Sequence, residues 1–96
     1  MFVMGCVFKL RILESGSLKE KRRIIKGLME KIRNRYRVSV VEAGAQDLWD
    51  QSEIGCAFGA NHAQDLENRL EKILQLVETT PQVEIVEMVV DTIKLD

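Results

Sequence analysis

The sequence predicts an α+β sandwich in the order βαββαβ, and three observations predict it. Residues 2–13 and 51–60 alternate apolar with polar or small residues at a period of two, as half-buried strands do. Residues 15–37 and 61–80 repeat apolar residues at intervals of three and four, as amphipathic helices do. Runs rich in β-branched residues at 37–43 and 83–95 supply the other two strands. Two crossover helices on one face of a four-stranded antiparallel sheet, in spatial order 4-1-3-2, is the ferredoxin-like arrangement. Right-handed crossovers then put the first and third strands side by side in the centre.

In the first strand Phe2, Met4, Cys6, Phe8, Leu10 and Ile12 form the core-facing set, with Val3, Gly5, Val7, Lys9, Arg11 and Leu13 on the other side. Glu14 to Gly16 turn the chain into the first helix. There Ser17 is the cap, and Glu20 completes a capping box by reaching back to the Ser17 amide. Leu18, Ile25, Leu28, Met29, Ile32 and Tyr36 make the helix's apolar stripe, while Gly27 costs about 1 kcal/mol relative to alanine. Lys19, Arg23, Lys26, Arg33 and Arg37 lie opposite that stripe, interrupted by Glu30. Arg37 to Ala43 is the second strand, and the polar run Gly44 to Asp50 a loop. Gln51 to Ala60 is the third strand, with Ile54, Cys56, Phe58 and Ala60 inward and Glu53, Gly55, Ala57 and Gly59 outward. Asn61 is expected to cap the second helix with Gln64 at the box position, and Thr79-Thr80-Pro81 to stop it. Its stripe is Leu66, Leu70, Ile73, Leu74 and Val77. Val83 to Leu95 closes the order.

Ninety-six residues and 46% hydrophobic content describe one globular domain, residues 1–96, with no linker or low-complexity tract. Net charge is −1, which argues against a general nucleic-acid coat. Its distribution is uneven. Residues 9–37 hold 11 of the 14 Lys and Arg against three acids, a balance of +8, and the remainder balances at −9. Either acids of neighbouring elements neutralise the basic helix within the fold, or that face meets an anionic partner. Cys6 and Cys56 sit in apolar strands without metal-ligand spacing, so they read as core thiols of a reducing compartment. No cofactor fingerprint is present, and no cofactor or metal is expected. The apolar run Met1 to Phe8 is too short to span a bilayer and lacks the flanks of a signal peptide. A soluble cytoplasmic protein without membrane contact is the expectation.

Ser17-Leu18-Lys19-Glu20-Lys21-Arg22-Arg23, Val38-Ser39-Val40 followed by Glu42, and Gln46-Asp47-Leu48-Trp49 resemble the signature stretches of the YlxP-like family. This is a bacterial family of small proteins catalogued as a domain of unknown function, and the likeness covers nearly the whole chain. The resemblance implies a ferredoxin-like fold. It also implies a gene neighbourhood often shared with a translation initiation factor and a ribosome-binding factor. It brings no established activity and no accepted catalytic residues.

The strongest candidate site is the basic face of the first helix: Lys19, Lys21, Arg22, Arg23, Lys26 and Arg33. Most of these cations crowd the first turns, where the helix dipole disfavours positive charge, so helix stability does not call for them. Phosphate of RNA or the ribosome would suit them, and a merely solvated face is the alternative. In the loop, Asp47 and Trp49 are a candidate partner contact. Trp49 either folds down over the sheet edge or stands out as a base-stacking or protein anchor. His62 reads as a surface residue. No Gly-rich anion loop follows the first strand, so the sequence favours a binding protein over a small enzyme on an anionic substrate, and no catalytic residue is assigned.

RNA-recognition domains of this architecture stack bases on aromatics of the open sheet face. Here Phe2, Phe8 and Phe58 fall on the helix side, which disfavours that mode. The open face instead offers Val3, Val7, Ala57 and Val89, the last if the final strand is phased with Ile85, within a rim of Lys9, Arg11, Glu53, Glu87 and Asp91. Such a face fits a homodimer about a two-fold axis. Two readings therefore lead, a non-enzymatic RNA- or ribosome-associated accessory factor and a self-associating interaction module.

Overall fold

The computed structural model describes all 96 residues. Strand β1 (Phe2–Ile12) is one of the two inner strands of the sheet. It pairs antiparallel with β3 (Gln51–Ala60) on one side and with β4 (Val83–Lys94) on the other, while β2 (Ser39–Gly44) pairs with β3. The order β2-β3-β1-β4 is the expected 4-1-3-2 order read from the opposite edge. Helix α1 (Leu18–Tyr36) links β1 to β2, and α2 (Ala63–Glu78) links β3 to β4. Tyr36 donates its hydroxyl to the Lys72 carbonyl at 3.3 Å, tying the two helices together.

The core forms where the periodicities of strand and helix meet. Met4, Cys6, Phe8, Leu10 and Ile12 of β1 are buried beside Ile54, Cys56 and Phe58 of β3 and Val38 and Val40 at β2. Ile24, Ile25, Leu28 and Ile32 cover them from α1, and Leu66, Ile73 and Val77 from α2. Phe8, Ile32, Ile54, Leu66, Ile73 and Val77 have no solvent contact. Truncating any of the larger ones would cost about 2–5 kcal/mol, because so tight an interior relaxes little around a hole.

Helix ends follow the sequence in one case and depart from it in the other. Ser17 caps α1 by accepting from the Glu20 amide at 3.1 Å. Glu20 accepts from the Gly16 amide at 3.2 Å, one residue before the expected Ser17. Both amides precede the helix and need an acceptor, so the box still closes. For α2 the cap is His62, whose side chain makes no capping bond. Asn61 lies one residue too early for a helix that begins at Ala63, and Gln64 bonds Asn68 at 2.9 Å instead.

β4 breaks its own alternation. Its register against β1 shifts between Lys9 and Leu10, so Leu10 faces Ile85 whereas Lys9 faces Glu87, and Val86 is the extra residue. Val83 is buried and Ile85 packs on the core. Beyond the bulge the phase reverses, and Val89 stands opposite Val7 on the open face. Val89 therefore reaches that face because the strand slips, and Ile85 points the other way. Apolar residues are left exposed on both sides of β4, with Met88 37%, Val89 46%, Val90 38% and Ile93 52% accessible.

Cys6 and Cys56 are cross-strand neighbours, both buried and both free thiols. The hydrogen bond that Cys56 donates to Cys6, reinforced by burial, pushes the Cys56 thiol above its ordinary value. The same bond, outweighing burial, lowers that of Cys6. Without access, neither difference makes a reactive thiol. A bulky aromatic disulfide reagent should label neither residue in the native protein, and both once denaturant opens the fold; fast native labelling would contradict this packing.

Candidate nucleic-acid interface

Helix α1 presents two different faces because its polar residues fall at two different phases. Lys19, Arg22, Arg23 and Lys26 are exposed on the outer side of the helix, and Arg33 is exposed beside the β2 edge. None of them lies within ion-pair distance of a carboxylate; the pairs of the structure involve Lys9, Arg11, Lys21 and Lys94 only. Arg33 donates once to the Val40 carbonyl at 3.2 Å, which steers it towards β2 and leaves its other N–H groups free. Lys31, Arg35 and Arg37 add exposed positive charge at the C-terminal half, with Arg37 in the left-handed conformation at the helix end (φ 52°). The acids expected as possible internal partners do not reach this face.

Lys21 does not belong to it. Its side chain is wholly buried, and its ammonium makes three bonds, one for each N–H: to Glu42 Oε2 at 2.9 Å, the Ala45 carbonyl at 3.0 Å and the Gln46 carbonyl at 3.2 Å. Glu42 Oε2 also accepts from Ser52 Oγ at 2.7 Å. The anion-binding set therefore loses Lys21, which is a structural cation. The sequence holds the signal for this. Lys21 stands at the spacing 18-21-25-28-32 of the apolar stripe, Glu42 in phase with Val38 and Val40, and Ser52 in phase with Ile54 and Cys56. Each is a polar residue in an apolar register, and three such residues must meet one another.

The consequence falls on the loop between β2 and β3. Ala45 takes the left-handed conformation (φ 57°), which a residue with a Cβ adopts at some cost. Its carbonyl accepts from Lys21 and also from the Leu48 amide at 3.1 Å. Gln46 Nε2 donates to the Glu42 carbonyl at 3.1 Å, and the Asp50 carbonyl accepts from the Ile12 amide at 2.8 Å. The loop is thus fastened to α1, β2 and β1. At its tip Asp47 is exposed, Leu48 is 45% accessible and Trp49 52%. Trp49 does not fold down over the sheet edge.

The open sheet face carries the remaining candidates. Val3 and Val7 are half-buried, and Ala57 and Val89 exposed. Gly5, Val7, Val41, Gly55, Ala57 and Val89 line a shallow concavity of about 410 Å³. Around it Lys9 pairs with Glu53 at 4.0 Å and Glu87 at 3.5 Å, and Arg11 with Glu84 at 3.3 Å. No helix is long and apolar enough to cross a membrane.

Fold and site together define a small ferredoxin-like α+β protein with a basic first helix and an exposed aromatic loop. The chain belongs to the family described as protein of unknown function (DUF503), whose profile matches residues 3–90. It is 33% identical over 73 residues to the uncharacterized protein YlxP of Bacillus subtilis (strain 168), covering 76% of this chain and 79% of that one. The YlxP-like resemblance is thereby established. Among solved structures it is similar to the de novo designed protein Foldit4 (TM-score 0.57, 18% identity, all of both chains). It is also similar to the structural-genomics protein YjcS (0.57, 9%, 96% and 99%). SnoaB, a cofactor-independent oxygenase from Streptomyces nogalater, superposes over 97% of this chain and 92% of its own (0.55, 6%). At these identities the likeness is one of fold alone.

Replacing Lys21 by Met should destabilise the protein by about 3 kcal/mol, because Glu42 is left without its cation. The lower end of the range applies, since the Glu42 side chain keeps 21% of its exposure. In urea unfolding, Lys21→Met combined with Glu42→Leu should cost clearly less than the two single changes added.

Proposed function

We propose that this protein is a non-enzymatic RNA-binding accessory factor that docks on phosphate through the outward face of α1. One observation carries the reading: Lys19, Arg22, Arg23, Lys26 and Arg33 are exposed together and lack carboxylate partners in a protein whose net charge is −1. Twelve acids lie outside residues 9–37, yet none pairs with this face. Unpaired like charges at the start of a helix destabilise it slightly, and a polyanion removes that penalty by displacing counterions. The reading extends to ribosome association in the cytoplasm, in keeping with the gene neighbourhood that the family resemblance implies. A fluorescein-labelled 20-nucleotide RNA of mixed sequence is the direct test. Affinity should fall steeply with salt, and changing Arg22, Arg23 and Lys26 together to Gln should make the log–log salt slope shallower by about two. Unchanged affinity in that triple variant, with an unchanged melting curve, would refute the reading.

A second reading is favoured by the open sheet face. Its centre is apolar and its rim is charged, where an antiparallel sheet facing water would be polar throughout. The partner in this reading is a second copy, related by a two-fold axis that brings Val3, Val7, Ala57 and Val89 of each together. The expected outcome in sedimentation equilibrium is a dimer that Val7→Glu splits into folded monomers. A monomer at high concentration for the unmodified chain rules this assembly out.

A further inference from the structure

The loop between β2 and β3 is built in a way that phosphate binding by α1 does not explain. Trp49, the sole tryptophan, is 52% accessible, and Leu48 beside it 45%. Such a tip would ordinarily be mobile or folded against the sheet. Here the Leu48, Ile12 and Gln46 hydrogen bonds and the buried Lys21 ammonium hold the loop backbone in place, at the cost of a left-handed Ala45. A fastened loop that carries an exposed indole serves a flat apolar partner, because the entropy of ordering the loop backbone is spent before binding. Lys21 also fixes where the loop stands. It joins the loop to the first turns of α1, so the loop that carries Trp49 and the start of the basic helix lie at the same end of the fold.

Resting on the RNA reading above, we infer that Trp49 is a stacking platform for an unpaired base, and that the ligand is therefore single-stranded RNA. A duplex hides its base faces, whereas a single strand can lay its phosphates along α1 and turn one base onto the indole. Asp47, exposed on the same turn, sets the direction. Its carboxylate repels phosphate and accepts N–H, so the backbone keeps to the helix and a base edge with exocyclic amino groups faces the loop. An exposed indole on a loop tied to the start of a basic helix suits a nucleic acid better than an apolar protein groove, which would leave the helix cations without counter-charge.

Since Trp49 is the sole tryptophan, its emission reports on the site directly. A 12-nucleotide single-stranded RNA should quench it, and Trp49→Ala should weaken binding about tenfold while leaving the salt slope unchanged. Trp49→Phe should recover part of the loss. A blunt duplex of the same sequence should neither quench nor respond to Trp49→Ala. If Trp49→Ala binds single-stranded RNA as well as the unmodified protein while the Arg22, Arg23, Lys26 triple variant does not, phosphate docking stands and stacking is overturned. If neither form binds RNA at all, the underlying reading fails and this inference with it. If Trp49→Ala leaves RNA affinity intact but abolishes co-purification of a protein partner from cell extract, the tip is a protein anchor and the inference is wrong.

Discussion

The architecture depends on a buried ammonium. Lys21 sits where the helical pattern asks for a hydrophobic side chain, and in the first turn of a helix whose dipole repels it. Removing a charge from water costs several kcal/mol unless every donor is answered. Here the answer is complete: three N–H groups meet one carboxylate and two carbonyls, and that carboxylate also holds the Ser52 hydroxyl. An apolar side chain could fill the same volume. It could not choose a backbone path for residues 45 and 46, because dispersion has no direction and hydrogen bonds do.

From that contact the functional surface is laid out. The basic helix and the aromatic loop come from opposite sides of β2 in the chain, and nothing in their own sequences would bring them together. Lys21 couples them by using its carbonyl bonds on the loop and its ion pair on β2. The strained φ of Ala45 then has a place in the structure, since its carbonyl answers two donors in that conformation. Glu42, the first acid after the helix, is committed inward to Lys21 and so does not pair with the outward cations.

How much of this is legible in the sequence depends on whether a residue's role is set by period or by partner. The strand phases of β1 and β3 follow from alternation alone, and so does the inward pairing of Cys6 with Cys56. The outward basic face is likewise a matter of helical angle. Lys21 is misread because charge is usually a sign of exposure, although its spacing already places it with Leu18, Ile25 and Leu28. Trp49 is left open by the sequence, since an apolar ring in a polar loop can cover a sheet edge or stand out, and period decides neither. The slip at Val86 shows in β4 only as a break in period: Val83 and Ile85 are apolar around Glu84, and Met88 and Val90 then carry the core-facing phase on even positions. It arises from pairing with β1, whose polar Lys9 and Arg11 both need acidic neighbours across the ladder.

That slip has a bearing on solubility. An edge strand of 12 residues with valines, methionine and isoleucine exposed on both faces is a template on which further strands could add. Glu84, Glu87 and Asp91 punctuate it at intervals of three and four, so no long uncharged stretch of apolar residues faces outward. They act as gatekeepers against fibril-like stacking, a duty separate from any ligand. The bulge assists them by twisting the edge out of the flat geometry that open-ended sheet growth requires. Neutralising these acids while engineering the surface would therefore trade a modest change in charge for a chain that adds to itself.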